Sequence, residues 1–212
     1  MISDNSLGRH SLLRAWIRIH STGLATSELV LVACLSVFVF GHGFSRLGPV
    51  SLPSVVLSSL VLPLMTGVAV ATAAVNAVHL DLPDPWRVRR ARLGWCAMWL
   101  GMAAASAGSG LLVRAPSSEL LLPTIRNVLV YSAISLPLAT ERKGSLIWLP
   151  AVLLTLAAAV FGFADNRDQW YWWAVVLDAQ VTGHQLVAAS FLMLLAAAHY
   201  TFRDPAGRRT TL

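Results

Sequence analysis

The feature that most constrains this chain is a succession of long apolar runs that charges rarely interrupt. A helix needs about 20 mostly apolar residues, within a range of about 17–25, to cross the hydrocarbon core of a bilayer. Six segments meet that requirement: Ser27–Phe44, Leu52–Val78, Leu93–Val113, Leu120–Ala139, Ser145–Ala164 and Val175–Thr201. In lipid, backbone polar groups must be satisfied within the segment, so such runs fold as helices. Only 12% of the 212 residues are charged, where a soluble domain carries about 25%. The expected fold is an all-α integral membrane protein, a six-transmembrane-helix bundle over residues 27–201. Residues 1–26 precede it, and a basic tail, 202–212, follows. Pro63 in the second run predicts a kink, whereas Pro137 and Pro150 fall near run ends.

Charge orients the bundle. Short cytoplasmic loops are enriched in Lys and Arg. With the N-terminus inside, Arg9, Arg14, Arg18, Arg87, Arg89, Arg90, Arg92, Arg142, Lys143, Arg203, Arg208 and Arg209 share the cytoplasmic side. The remaining four basic residues, Arg46, Arg114, Arg126 and Arg167, fall outside or in the outer membrane half. An even number of spans returns the C-terminus to the cytoplasm, and the expected location is a bacterial inner membrane. The connection "DNRDQWYWW" agrees, because Trp170, Tyr171, Trp172 and Trp173 suit the headgroup layer. A substrate-stacking role for these rings is the alternative. In "SLLRAWIRIH", Leu12, Leu13, Trp16 and Ile17 recur at helical spacing, which predicts a short amphipathic helix lying in the inner interface. The first apolar run begins near Leu29 with no small-residue cleavage site close behind, as in a retained helix rather than a signal peptide.

The formal charge of +6 would suit a nucleic-acid binder, but no soluble region is long enough to carry a basic face. Cys34 and Cys96 lie in apolar runs and are expected as core thiols. No phosphate loop, H-E-x-x-H, G-x-S-x-G or paired-cysteine ligand set occurs. The chain is therefore expected to be non-enzymatic and without a cofactor, and a partner must supply energy for any active process. On the third run Ala97, Gly101, Ala105 and Ser109 recur every fourth residue. Such a ridge lets backbones approach closely, which predicts a helix contact inside the bundle, with a dimer interface as the alternative.

Ionisable groups within lipid are costly and are functional candidates by default. Arg126 and Asn127 lie about two turns into the fourth run. Arg126 either snorkels outward or pairs with an acid, Asp178 or Glu119, to lock an outer gate or touch substrate. His184 lies near the outer end of the sixth run. With His42 outside and His79 and His199 inside, it sketches a layout for two b-type haems by bis-imidazole ligation.

The order of parts, an amphipathic helix, six spans and a basic cytoplasmic loop between the second and third, resembles the membrane subunits of ABC-2-type exporters. In that family the loop forms a coupling helix that docks on an ATP-binding subunit. The resemblance assigns "SLLRAWIRIH" as the interfacial helix. It makes "LPDPWRVRRARL", with Asp84, Trp86, Arg87, Arg89, Arg90 and Arg92, the coupling segment, whose short helix starts at about Trp86. A second, local resemblance is to small permease-like proteins of high-GC bacteria. It rests on Arg126 and Asn127 followed by Gly144, Trp148 and Pro150, then a tryptophan-rich segment, an acid and a last span. The chain is short for the family, its fifth-to-sixth connection is brief, and Asp81 and Asp84 precede the arginines rather than sit among them. The resemblance implies a permease subunit that moves a peptide, lipid-like metabolite or antibiotic. Its partners would be a P-loop subunit, a second permease copy or paralogue, and membrane lipids, with no nucleic acid. A non-transporting immunity, assembly or regulatory protein is the alternative.

Overall fold

A computed structural model describes residues 22–39, 43–47, 50–75, 85–114, 118–141, 144–164 and 169–203. Among these, six α-helices carry the fold: α1 (Thr22–Val39), α2 (Leu57–Ala74), α3 (Pro85–Arg114), α4 (Ser118–Thr140), α5 (Leu149–Phe161) and α6 (Gly183–Phe202). Two short antiparallel ribbons lie on connections. β1 (Gly43–Leu47) pairs with β2 (Val50–Val56) between α1 and α2, and β3 (Phe163–Ala164) with β4 (Gln169–Trp170) between α5 and α6.

Three helices, α1, α4 and α6, are long and apolar enough to cross a membrane. Large apolar side chains stand exposed along them, among them Leu24, Leu31 and Phe38 on α1 and Phe191, Leu194 and Leu195 on α6. In water such surfaces would drive association, whereas lipid is their natural solvent. The apolar stretches of α2 and α5 are shorter. At about 1.5 Å per residue the 13 residues of α5 extend about 20 Å, less than the hydrocarbon thickness of about 30 Å. α3 is ample at 30 residues, but alanine, glycine and serine dilute its apolar stretch.

Several expected boundaries move. Gly43 and Phe44, expected to end the first span, belong to β1, and the start of the expected second span, Leu52 to Val56, belongs to β2. Prolines at 49 and 53 disfavour helix, and β-branched Val50, Val55 and Val56 favour strand. The fifth helix is preceded by a 3-10 turn, Gly144–Leu146, and Pro150 occupies its first turn, where a missing N–H is harmless. The sixth starts at Gly183 rather than Val175. Thr182 and Gln185 form a reciprocal capping box there, and Val175–Leu177 is a separate 3-10 turn.

α2 and α4 form the centre. Gly67 brings them into backbone contact: a Cβ there would lie 2.5 Å from Tyr131 Cβ and 2.8 Å from the Tyr131 backbone carbon. Around this pair, α1 and α3 pack on α2 through Ala25, Leu29, Val32, Val70, Trp99 and Ala103. α5 and the 3-10 segment close over Tyr131, Ala158 and Ala174. α6 joins α2, α3 and α4 through Met193, Ala197, Leu136 and Cys96.

Of the expected small-residue ridge, Ser109 enters the α1–α3 contact and the other three face outward. Ala97, Gly101 and Ala105 are exposed, and a Cβ on Gly101 would meet nothing within 4 Å. The neighbouring face, Trp99, Ala103, Ala107 and Gly110, packs inward instead. There Ser36 Oγ donates to the Ala107 carbonyl at 3.1 Å and accepts from the Gly110 N–H at 2.8 Å. Ser109 Oγ donates to the Ala33 carbonyl at 3.1 Å. Cys96 is buried as expected, whereas Cys34 faces out on α1. Replacing Ser36 with alanine deletes both bonds of a fully buried hydroxyl. The expected loss is about 1–2 kcal/mol, read as a lower melting midpoint in detergent. Ser36→Thr, which restores the hydroxyl, is expected to recover part of it.

Candidate functional site

The most concentrated polar chemistry lies where α4 and α6 begin. Arg126 and Asn127, neighbours on the central helix, are both fully buried, so the guanidinium does not snorkel to the surface. Arg126 donates through each of its three nitrogens. Nε reaches Asn127 Oδ1 at 3.0 Å, Nη1 reaches Gln185 Oε1 at 2.9 Å, and Nη2 reaches the Asp178 backbone carbonyl at 2.7 Å. Asn127 uses both amide hydrogens, to the Ser59 carbonyl at 2.6 Å and the Val176 carbonyl at 2.8 Å. One dipeptide of α4 thus fastens the first turn of α2, the 3-10 turn and the first turn of α6.

The acid proposed as the partner of Arg126 is present, but it is held at one remove. Gln185 Nε2 donates to Asp178 Oδ2 at 3.2 Å while its Oε1 faces Arg126. The amide therefore bridges cation and carboxylate. Asp178 Oδ1 accepts from the Gln180 N–H at 2.9 Å, which fixes the bend before α6. Gln185 also serves the capping box, so the residue that starts α6 orients the buried guanidinium as well. A buried charge is tolerated when its donors find acceptors and an opposite charge lies near; here each of the three nitrogens donates and the carboxylate stands one amide away. Beneath it, Tyr131 and Thr155 meet at 2.8 Å. Thr155 donates its hydrogen to the Ala151 carbonyl at 2.8 Å, so Tyr131 is the donor, linking α4 to α5.

The opposite end gathers the arginines. The start of α3 meets the ends of α4 and α6. Arg92 Nη1 donates to the Arg203 carbonyl at 3.1 Å, and Arg203 Nη1 pairs with Glu141 Oε1 at 3.0 Å. The coupling segment is not a separate short helix. Helix does begin at Pro85, one residue before Trp86, but it continues unbroken to Arg114, because nothing between Trp86 and the apolar stretch stops it. Arg87 lies in the first turns of α3 and Arg90 is exposed. Asp84, residues 11–20, His42, His79 and the tail from Asp204 lie outside the described residues.

Other candidates remain apart from these two clusters. Glu119 falls in the first turn of α4. His184 is exposed on the first turn of α6, and His199, exposed near its end, stands 3.2 Å from Arg203 Nη1. No group of three His, Cys, Asp or Glu with metal-binding geometry occurs among the described residues. Trp172 is almost wholly exposed, whereas Trp170 and Trp173 pack on the core.

Two groups escaped the sequence reading. Gln185 is neutral and carried no charge signal, although the T-x-x-Q spacing from Thr182 marks a helix start. Glu28 is an acid inside α1, with one carboxyl oxygen buried and unpartnered among the described residues. Its position at the edge of the apolar run obscured it.

Length, composition and surface mark the chain as a helical membrane protein. Compared with known protein families, with characterised proteins and with solved structures, it matches none of them.

Proposed function

We propose that the chain is the membrane subunit of an ABC-2-type exporter: a six-span bundle in a bacterial inner membrane, both termini cytoplasmic. It moves an amphipathic peptide, lipid-like metabolite or antibiotic while a separate P-loop subunit hydrolyses ATP. The observation that carries this reading is the basic end of α3. Arg89 and Arg92 of that end meet Phe202 and Arg203 at the end of α6, and Arg203 pairs with Glu141 after α4, an arrangement that fits alternating spans. Arg126 and the start of α6 mark the other end. An α3 that projects as a rigid rod beyond its apolar stretch offers a surface by which a cytoplasmic motor could move the bundle, in place of a hinged coupling helix. A second copy or a paralogue would complete the translocation path.

The test is affinity purification of the tagged chain from its native membranes, with ATPase activity measured in the eluate. The expected result is a co-eluting P-loop protein whose activity this chain modulates. The triple variant Arg87→Gln, Arg89→Gln, Arg90→Gln should insert normally and lose that modulation. Absence of any co-eluting ATPase would overturn the proposal.

The buried polar cluster favours a second reading, a non-transporting immunity, assembly or regulatory protein. Arg126 and Asn127 are committed to holding helices together rather than presented to a pathway. Their intolerance of substitution therefore does not distinguish the two functions, whereas ATPase modulation does.

A further inference from the structure

Among the described residues Arg89 has no hydrogen-bond or ion-pair partner of the kind that occupies Arg92, Arg126 and Arg203. Its guanidinium carbon lies 5.4 Å from the centre of the Trp86 ring and 5.0 Å from that of Phe202, the last residue of α6. Attraction to ring faces orients a guanidinium without using any of its N–H donors. No carboxylate or carbonyl among the described residues accepts from Arg89. Exposed Arg90 follows it, and the N-terminus of α3, with its partial positive charge, adds to the same field. The result is a planar cation oriented by two rings, whose donors meet no acceptor among the described residues.

Its position says what it meets. Trp86 is 64% exposed and Phe202 62% exposed; Phe202 ends the apolar stretch of α6, and Trp86 stands two turns before that of α3, on the same arginine. Exposed aromatic rings at such a boundary sit among lipid headgroups, and a guanidinium matches the oxygens of a phosphate in bidentate fashion.

We propose that Arg89, Trp86 and Phe202 form a binding site for the phosphate of an anionic phospholipid headgroup, with Arg90 as a second contact. The rings favour a lipid over a free anion, because they offer apolar area to the glycerol and upper acyl carbons beside the phosphate. The site requires only that these helices lie in a bilayer, not that the chain transports anything.

Native mass spectrometry of the full chain in detergent tests this, with phosphatidylglycerol and phosphatidylcholine offered in equal amounts. The wild type should retain phosphatidylglycerol in about fivefold preference, the scale expected for a bidentate charge-assisted contact over a point charge. Arg89→Lys keeps the charge but loses the planar fork and should lose most of that preference at an unchanged melting midpoint. Phe202→Ala should weaken it about threefold. Arg142→Gln removes one charge elsewhere in the sequence and should leave it intact. Full retention in Arg89→Lys, or equal loss in Arg142→Gln, would reduce the effect to diffuse charge and overturn the site. Displacement of the lipid by millimolar inorganic phosphate would overturn the lipid assignment in favour of a free anion. A lost lipid preference in Phe202→Ala alongside intact ATPase modulation would separate this site from the exporter proposal.

Discussion

Arg126→Met is expected to be among the most destabilising single substitutions in the chain. Methionine fills much of the volume but donates nothing. Asn127 Oδ1, Gln185 Oε1 and the Asp178 carbonyl would each lose a donor inside the bundle, and the Asp178 carboxylate would lose the cation bridged to it through Gln185. Leaving a buried acceptor unsatisfied costs about 1–3 kcal/mol, so about 3–5 kcal/mol is expected for the three together. For a chain of this size each kcal/mol moves the melting midpoint by about 2–4 °C, so a fall of about 10 °C is expected in detergent. Arg126→Lys should fall in between, since an ammonium carries the charge but cannot reach three acceptors in one plane. Gln185→Leu added to Arg126→Met should cost less than the two changes separately, because it removes one of the orphaned acceptors. Strict additivity, or an unshifted midpoint for Arg126→Met, would show that the cluster does not hold the helices.

How far this arrangement was legible in the sequence depended on whether the signal was local. Apolar length located all six helices, and the unusual Arg126–Asn127 pair drew notice because charge inside lipid is costly. The partner that completes it is a neutral glutamine fifty-nine positions away, and no charge pattern points to such a residue. Its capping role was legible: Thr182 and Gln185 stand three apart before an apolar run, and that spacing places the start of α6 at Gly183. Apolar length alone carried the start back to Val175, because valine and leucine suit a 3-10 turn packed on the core as well as a span. The same ambiguity absorbed β2 into the second span. Spacing also failed on α3, for a physical reason. A helix with Ala97, Gly101, Ala103, Ala104, Ala105, Ala107, Gly108, Ser109 and Gly110 carries more than one small-residue ridge at period four. Which ridge faces inward is decided by its neighbours, here by Ser36 on α1.

The tightest test of the packing is at Gly67. Small residues matter in membrane bundles because lipid provides no strong hydrophobic drive, and close backbone approach supplies dispersion contact instead. At Gly67 a Cβ would lie 2.5 Å from Tyr131 Cβ, 2.8 Å from the Tyr131 backbone carbon and 2.9 Å from the Ser132 nitrogen. These are backbone and near-backbone atoms, so no rotamer change relieves the overlap. α4 cannot easily withdraw, since Tyr131 is tied to Thr155 of α5 and Asn127 to the Ser59 carbonyl at the start of α2 itself. Gly67→Ala is therefore expected to cost about 1–3 kcal/mol, in the range of overpacked cores, and Gly67→Val more, read as melting midpoint and folded yield. Loosening the far side should help: Thr155→Val removes the acceptor of Tyr131 and should make the added cost of Gly67→Ala smaller than in the wild type. A wild-type midpoint for Gly67→Ala would mean that α2 and α4 do not meet backbone to backbone. The central pair, and with it the placement of Arg126, would then need to be redrawn.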